Sequence, residues 1–302
     1  MMRAWIPYVN LLMICLFVMA PPFASATDYV WRNVEVGGGG FAPGIVFSRA
    51  ERGLAYLRTD MGGAYRWDSA ARSWTPLEDS IAESSYFGIE GIAADPVDAN
   101  VVYLAAGMYR HDGAAILRSP DRGKSWEVFP TTFRMGGNED DGGLGERLAI
   151  DPNLTSSLYF GSRHDGLQRS NDSGRTWSRV DSFPVHGLGL PEVRRRTNAG
   201  LSFVVFDPRS GHRGVGSRTV FVGVADPGPE HLFLTHDGGK TWSAVGGQPR
   251  ADPLSVQAAL DLRGMLYVTY CNGVGPTGVT DGAVFAPRGG QRPRGPTGAA
   301  CG

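Results

Sequence analysis

The sequence has little of several features that would assign it to a large class of proteins. It contains three cysteines in 302 residues, which are too few for a disulfide framework. Its 29 lysines and arginines are balanced by 30 aspartates and glutamates, so no excess of positive charge predicts nucleic-acid binding. It also lacks a P-loop, an HExxH motif, a GxSxG motif and any cysteine and histidine cluster with zinc spacing. We therefore expect no metal, no cofactor and no nucleic-acid partner.

Long apolar runs are missing beyond the N-terminus. The stretch LLMICLFVMA at residues 11–20 is apolar but short for a membrane span. Ala24, Ser25 and Ala26 then match a small-residue cleavage site. These features predict a signal peptide over residues 1–26 and a secreted protein, extracellular or periplasmic, with no membrane partner after cleavage. An uncleaved signal anchor is the alternative.

Glycine is the residue that the sequence has in excess. The 43 glycines are about twice the average share and follow no collagen period. They separate short apolar runs, which is typical of a turn-rich all-β protein. Three runs end in Asp-Pro, at Asp95, Asp151 and Asp207, with a constant spacing of 56 residues. A fourth run ends at Asp261 and a degenerate one at Ser48, so the chain repeats a strand, a tight turn and a strand.

A second motif follows each of the three Asp-Pro turns. It reads Ser or Thr, any residue, Asp, any residue, Gly, any residue, Ser or Thr, Trp, and it is known as the Asp-box or BNR motif. In a β-hairpin turn the aspartate accepts backbone N–H groups, the glycine takes a positive φ and the tryptophan packs between sheets. We therefore assign structural roles to the aspartates and tryptophans of the motif, which are Asp121 and Trp126, Asp172 and Trp177, and Asp237 and Trp242.

A repeat of about 50 residues with four short strands predicts one blade of a β-propeller. Five blades begin near Ile45, Ile92, Leu148, Phe203 and Ala258. The fold class is thus all-β, with about five blades of an N-terminal propeller over residues 27–285. A closed ring of six to eight blades needs more chain, so we expect a truncated propeller. A β-solenoid is the weaker alternative, because the repeats are long and their loops vary.

The character of the sequence changes after Phe285. Residues 286–302 read APRGGQRPRGPTGAACG, in which no strand alternation remains. The Asp-box expected next is missing. We expect an irregular tail that is either natural disorder or the product of a frameshift.

Asp60 is the carboxylate that stands apart from these structural turns. It follows an apolar strand and precedes Gly62 and Gly63, in the segment YLRTDMGGAYRW. A carboxylate at a strand end, next to glycines that let a ligand approach, suits a general base in an open cleft. Taken by itself, Asp60 also suits an aspartate that caps a turn.

Residues 29–285 resemble the N-terminal part of glycoside hydrolase family 74, the xyloglucan-active endo-glucanases and reducing-end-specific cellobiohydrolases. The resemblance is carried by YVWRNVEVGGGGFAPGIVFS at 29–48, LRTDMGGAYRW at 57–67, GIAADPVDANVVYLAAGMY at 91–109, AILRSPDRGKSW at 115–126, GGLGERLAIDP at 142–152 and YVTYCNGVGPTGVTDGAVF at 267–285. It implies two tandem seven-bladed propellers with a glucan cleft between them.

The resemblance also implies a mechanism, which is hydrolysis of a β-1,4-glucan backbone with inversion. Inversion needs a general base and a general acid about 6.5–9.5 Å apart. The family's base aspartate matches Asp60, and its acid lies in the second propeller. The resemblance therefore implies that the 302-residue chain is a truncated form that lacks the acid and has no more than trace activity by itself.

Aromatic side chains stack on sugar rings in such clefts, and Tyr86, Tyr109 and Trp67 are the candidates that we place on the rim of Asp60. Each also suits the core of a blade.

The expected partner is a polysaccharide, xyloglucan or a related β-glucan, and the intact protein is expected to be a monomer. The main alternative is a non-catalytic BNR propeller that binds a glycan or a protein. A sialidase would need an arginine triad and an F-R-I-P segment near the mature N-terminus, and that segment is not found there.

Overall fold

The fold is described from a computed structural model. The model describes residues 33–140, 142–186, 199–226, 228–249, 254–273 and 279–287. The predicted signal peptide and residues 288–302 of the predicted tail lie outside the described residues. All strands of the described residues belong to one compact unit that begins at Glu35.

The described residues form five antiparallel sheets, the blades of a propeller. Blade 1 consists of β1 (Gly44–Phe47), β2 (Ala55–Arg58), β3 (Ala64–Asp68) and β4 (Ser73–Pro76). Blade 2 consists of β5 (Ile89–Ala94), β6 (Val102–Ala106), β7 (Ala115–Ser119) and β8 (Glu127–Pro130). Blade 3 consists of β9 (Leu148–Ile150), β10 (Leu158–Gly161), β11 (Leu167–Ser170) and β12 (Ser178–Arg179).

Blade 4 consists of β13 (Leu201–Phe206), β14 (Val220–Val224), β15 (Leu232–Thr235) and β16 (Ser243–Ala244). Blade 5 has three strands within the described ranges, β17 (Leu254–Leu260), β18 (Leu266–Cys271) and β19 (Gly282–Phe285). Two short 3₁₀ helices, Ser84–Phe87 and Pro208–Ser210, complete these ranges. No helix in the described part of the chain has the length and apolarity needed to cross a bilayer.

The prediction of an all-β propeller with five blades is confirmed. Each predicted blade start lies in the first strand of its sheet. Neighbouring blades pack face to face, and the apolar core is therefore divided into layers between successive blades. Between blades 1 and 2, for example, Tyr56 and Leu54 pack with Ile92, Leu104 and Leu117. Burial of such side chains stabilises each interface by about 1.5–3 kcal/mol per large residue.

Antiparallel strands joined in sequence order put alternate connections at opposite edges of the sheet. We call one edge the Asp-box rim, because it carries both the Asp-Pro turns and the Asp-box turns. The opposite edge, which we call the Asp60 rim, carries residues 59–63, 107–114, 162–166, 225–226 and 228–231. It also carries the described parts of the segments that join one blade to the next. Backbone hydrogen bonds connect the Asp60 rim across blades, as from Ile89 N of blade 2 to Thr59 O of blade 1 at 3.1 Å.

The three Asp-boxes have nearly the same geometry. The aspartate accepts a hydrogen bond from the hydroxyl two residues earlier, at 2.7–2.8 Å, and from the hydroxyl four residues later, at 2.6 Å. It also accepts the backbone N–H four residues later, at 2.9 Å. These hydrogen bonds hold the pKa of Asp121 at about 2 and lower the pKa of Asp237. Burial raises the pKa of Asp172, but its hydrogen bonds outweigh burial, and the pKa is lowered. The carboxylates are thus occupied by their own turns.

The Asp-box tryptophans are half-buried and lie against the core layer between their own blade and the preceding one. Trp126 Nε1 donates to Leu77 O of blade 1 at 2.9 Å, so it joins two blades directly. Trp177 Nε1 donates to Gly174 O within its own turn. Trp242 packs edge-on against Phe183, with ring centroids 5.0 Å apart. The tryptophans therefore join blades at the Asp-box rim.

Candidate active site

Asp60 lies at the tip of the short loop between β2 and β3, on the Asp60 rim. Thr59 closes this loop, since its Oγ1 donates to Gly63 O at 2.8 Å and accepts Gly62 N at 2.8 Å. The backbone of Thr59 also donates to Gly63 O, at 2.9 Å. Residues 60 and 61 consequently project from the sheet, and Asp60 is half-buried.

The Asp60 carboxylate is held by one of its oxygens. Its Oδ1 accepts Phe41 N at 2.8 Å, and the backbone N of Asp60 donates to Phe41 O at 3.0 Å. Its Oδ2 forms no hydrogen bond with any described residue. A carboxylate that is oriented by one oxygen and open at the other can accept a proton from a bound water, because geometry is the first requirement of a general base.

The glycine run at residues 37–40 lets the chain pass close to this loop. A Cβ on Gly40 would lie 2.6 Å from Asp60 Oδ1, and one on Gly62 would lie 2.0 Å from Gly39 O. Gly40 also has φ +101°, which favours glycine. The unbroken run of four glycines at residues 37–40 is the sequence signal for this close approach.

Arg58, the last residue of β2, fastens the base of the loop to two other blades. Its side chain is buried and donates to Leu144 O at 2.8 Å and to Ile89 O at 3.2 Å. It also pairs with Glu146 at 2.8 Å, and Glu146 in turn accepts Ile92 N at 2.9 Å. Charge-assisted hydrogen bonds of this kind are about twice as strong as neutral ones. The position of the Asp60 loop thus depends on residues 88 positions away in sequence.

A second buried ion group lies beside the first. Glu90 pairs with Arg147 at 2.6 Å and with Arg163 at 2.9 Å, and all three side chains are at most 1% exposed. Burial raises the pKa of Glu90, but the two guanidinium groups outweigh it and bring the value to about 2. Burial lowers the pKa of Arg147 to about 9, which still leaves it charged at neutral pH. This network of five charges joins blades 1, 2 and 3 beneath the Asp60 rim.

The structure brings two of the three predicted aromatic residues to the Asp60 rim. Tyr109 is 44% exposed, and its hydroxyl accepts Asn138 Nδ2 at 2.6 Å, which fixes the ring. Tyr86 lies in the helix Ser84–Phe87 but is half-buried against the core layer of blades 1 and 2. His164 and His111 also lie on loops of this rim.

The expectation that Trp67 shares this rim is wrong. Trp67 lies in β3 three residues beyond Ala64, about 10 Å further along the strand. It pairs with Trp74 next to the turn at the Asp-box rim, and the two rings pack edge-on at 5.3 Å. The side chain therefore stabilises the outer strands of blade 1, and Trp67 is not a candidate for the Asp60 site.

Comparison with known proteins finds relatives in both sequence and structure. The chain is 44% identical to a xyloglucanase of a Paenibacillus species over 283 residues, which are 89% of this chain and 27% of the relative. It is 48% identical to a xyloglucanase of Acetivibrio thermocellus over 263 residues, which are 83% of this chain and 31% of the relative. The solved structure of a glycoside hydrolase family 74 xyloglucanase from Xanthomonas campestris is 41% identical, with a TM-score of 0.76, over 86% of this chain and 38% of that one.

The chain is a homologue of the family 74 glycoside hydrolases. The resemblance expected from its sequence is confirmed. No family model matches the chain. The chain spans about a third of the length of the xyloglucanases that it matches.

Proposed function

We propose that this propeller takes part in the hydrolysis of xyloglucan and that Asp60 is the general base. The observation that carries the proposal is the Asp60 carboxylate on a rim loop, with one oxygen fixed by Phe41 and the other open. The names of the homologues support the substrate, and the RTDMGGAY segment at residues 58–65 supports the residue. The protein is further proposed to be secreted, to act as a monomer and to meet its polysaccharide outside the cytoplasm.

In the proposed reaction a water molecule lies between Asp60 Oδ2 and the anomeric carbon. Asp60 takes one proton from this water while the water oxygen attacks the anomeric carbon from the face opposite the leaving sugar. The glycosidic C–O bond breaks, and a general acid protonates the leaving oxygen. The product has inverted configuration, α from a β-linked glucan.

The proposal places the general acid in a second propeller, as the family resemblance implies. Acid and base in an inverting pair are about 6.5–9.5 Å apart, which leaves room for the water. Tyr109 is the aromatic side chain best placed to stack on a sugar ring of the same substrate. Its exposed ring and fixed hydroxyl offer a flat apolar face to pyranose C–H groups.

A chimeric enzyme tests the assignment of Asp60. Residues 29–285 replace the matching segment of the Acetivibrio thermocellus xyloglucanase, which the chain resembles at 48% identity. We expect Asp60→Asn and Asp60→Ala to lower reducing-sugar release by about 10²–10⁴-fold, the usual contribution of general-base assistance. The matched control is Asp112→Asn, which removes an exposed carboxylate on the same rim.

Product configuration completes the test. Proton NMR of the first product from the unmodified chimera should show the α-anomer before mutarotation. Full activity of the Asp60 variants would remove Asp60 from the mechanism. Binding of xyloglucan by the chimera without turnover, where the parent enzyme turns over, would favour the non-catalytic BNR propeller.

A further inference from the structure

Glu78 is a buried carboxyl group that the proposed reaction does not use. It follows β4 at the Asp60 rim, and only 2% of the residue is exposed. Its Oε2 accepts the backbone N of Ala64 at 2.5 Å, while Leu77 N donates to Ala64 O at 3.0 Å. Its Oε1 is buried without a hydrogen-bond partner in the described part of the chain. Residues 77 and 78 thus pair with both backbone groups of the first residue of β3.

The carboxyl group lies directly against the end of the Asp60 loop. A Cβ on Gly63 would lie 2.6 Å from Glu78 Oε2 and 3.4 Å from Phe87 Cδ1. Gly63 N donates to Phe87 O at 2.9 Å, and Gly63 O receives both hydrogen bonds from Thr59. Gly63 is therefore buried among three segments, and even a methyl group would not fit on the side that faces Glu78.

We propose that Glu78 is a positioning residue for Asp60. The carboxyl group of Glu78 accepts Ala64 N and lies against Gly63, and it thereby fixes the end of the loop that carries Asp60. The proposal rests on the proposed role of Asp60. Because the loop from Thr59 to Gly63 is closed by its own hydrogen bonds, a displacement of Gly63 changes the direction in which Asp60 projects.

The surroundings of Glu78 determine the protonation state in which it acts. No arginine, lysine or histidine of the described residues forms an ion pair with it. The titratable groups that act on it are Asp79, an exposed neighbour of like charge, and Tyr65, whose hydroxyl donates to Gly62 O at 2.9 Å. Burial is the main cause that raises the pKa of Glu78, to about 8. Glu78 is therefore protonated at neutral pH, in contrast to Glu90, whose two arginines keep it ionised.

Loss of the proton would leave a buried carboxylate whose hydrogen bond from Ala64 N is its single one within the described residues. Such a charge is costly unless water or a cation reaches it. Since Gly63 lies against Oε2 and only 2% of Glu78 is exposed, we expect hydration of the ionised group to require the end of the loop to move away. We therefore expect the Asp60 loop to loosen above about pH 8.

The sign of the effect on stability follows from linkage. The pKa of Glu78 in the folded state lies above that of an unfolded glutamate, about 4.3. Between these values the folded chain holds one more proton than the unfolded chain, so this group alone raises the unfolding constant about tenfold per pH unit. Above about pH 8 its contribution no longer changes.

The first experiment compares the 302-residue chain with its Glu78→Gln variant, whose side chain is uncharged and has nearly the same shape as protonated glutamate. Unfolding constants are measured with urea from pH 5 to pH 9. We expect the ratio of the wild-type constant to that of the variant to rise about tenfold per pH unit and to level off near pH 8. The matched control, Glu83→Gln, should give a constant ratio over this range, because hydrogen bonds from Ser85 lower the pKa of Glu83 and the group is ionised in both states. A constant ratio for Glu78→Gln would overturn the proposal.

A direct titration keeps the test independent of any variant. The carbon-13 resonance of the Glu78 carboxyl group should titrate with a midpoint near pH 8, and a midpoint below pH 6 would overturn the proposal. Hydrogen exchange at Ala64 N–H should accelerate above pH 8 more than base catalysis predicts, and Glu78→Gln should remove this excess.

The chimera then tests the link to Asp60. We expect Glu78→Gln to move the alkaline limb of kcat/KM to higher pH. An alkaline limb of kcat/KM at the same pH in both enzymes would mean that Glu78 is not a positioning residue, even if it titrates near pH 8. A fully active Asp60→Asn chimera with the Glu78 titration intact would instead defeat the proposed function, so the two failures are distinguishable.

Discussion

The two rims of the propeller use aspartate in opposite ways. At the Asp-box rim, Asp121 and Asp237 each accept four hydrogen bonds from residues within four positions in sequence. At the Asp60 rim, Asp60 accepts one hydrogen bond, from a residue 19 positions away. The first arrangement recurs in three blades with nearly constant distances. Asp226 on the Asp60 rim also accepts one distant backbone N–H, from Gly200, but Asp226 is buried whereas Asp60 is half-exposed. A satisfied carboxylate stabilises a turn, whereas one with an open oxygen is free to take part in a reaction.

The forces that hold the two rims also differ. The Asp-box rim is stabilised by local turns and by tryptophans that lie between blades. The Asp60 rim rests on a buried network in which Arg58, Arg147 and Arg163 pair with Glu90 and Glu146. Local turns can be repeated in each blade without cost to the others, whereas the network requires specific partners from three blades. Three predictions test this difference, in order of decreasing effect.

The largest effect is expected at the buried network. Glu90→Ala leaves Arg147 and Arg163 buried without their carboxylate, and breaking a buried pair in this way costs about 3–5 kcal/mol. Urea unfolding of the 302-residue chain measures the loss. The control is Glu127→Ala, which removes a half-exposed partner of Arg118 and should cost less than about 1 kcal/mol. Equal losses for the two variants would show that the network does not stabilise the Asp60 rim.

A smaller effect is expected for the Asp-box tryptophan that joins two blades. Trp126→Ala removes a half-buried ring and its hydrogen bond to Leu77 O, and we expect a loss of about 2–4 kcal/mol, at or below the range for fully buried aromatics. Trp126→Phe keeps most of the packing and should cost less. Thermal unfolding followed by tryptophan fluorescence and by circular dichroism measures both. An unchanged midpoint for Trp126→Ala would place this ring outside the interface between blades.

The smallest effect is a change in the response to acid. The pKa values of Asp121, Asp172 and Asp237 are lowered in the folded state, so these groups stabilise it above the pKa of an unfolded aspartate, about 3.9. That stability is lost as the pH falls through the folded values. Replacing all three by asparagine should flatten the fall in melting temperature between pH 4 and pH 2. A slope identical to that of the wild type would mean that other carboxylates determine the acid response.

The sequence predicted the regular parts of the molecule well. The spacing of 56 residues between Asp95, Asp151 and Asp207 located the blades, because each turn depends on residues within a few positions of itself. Asp60 could be selected because it stood outside the repeated turns and inside a specific motif. Both predictions rest on local patterns.

The features that the sequence did not reveal are those with distant partners. Arg58 pairs with Glu146, 88 positions away, and nothing in a single sequence indicates that pairing. Glu78 was missed because its burial depends on Phe87 and Gly63, which approach only in the folded blade. Trp67 was placed on the wrong rim because its position depends on β3 beginning at Ala64, a boundary that spacing alone did not define.

Chemical rescue tests most directly the central claim that the open oxygen of Asp60 activates the attacking water. In the Asp60→Ala chimera, azide needs no base, so it can attack the anomeric carbon as the glycosidic C–O bond breaks and the general acid protonates the leaving oxygen. We predict azide-dependent cleavage of xyloglucan, with an α-configured glycosyl azide as the product. Full cleavage by Asp60→Ala without azide, or a β-configured azide, would contradict the account.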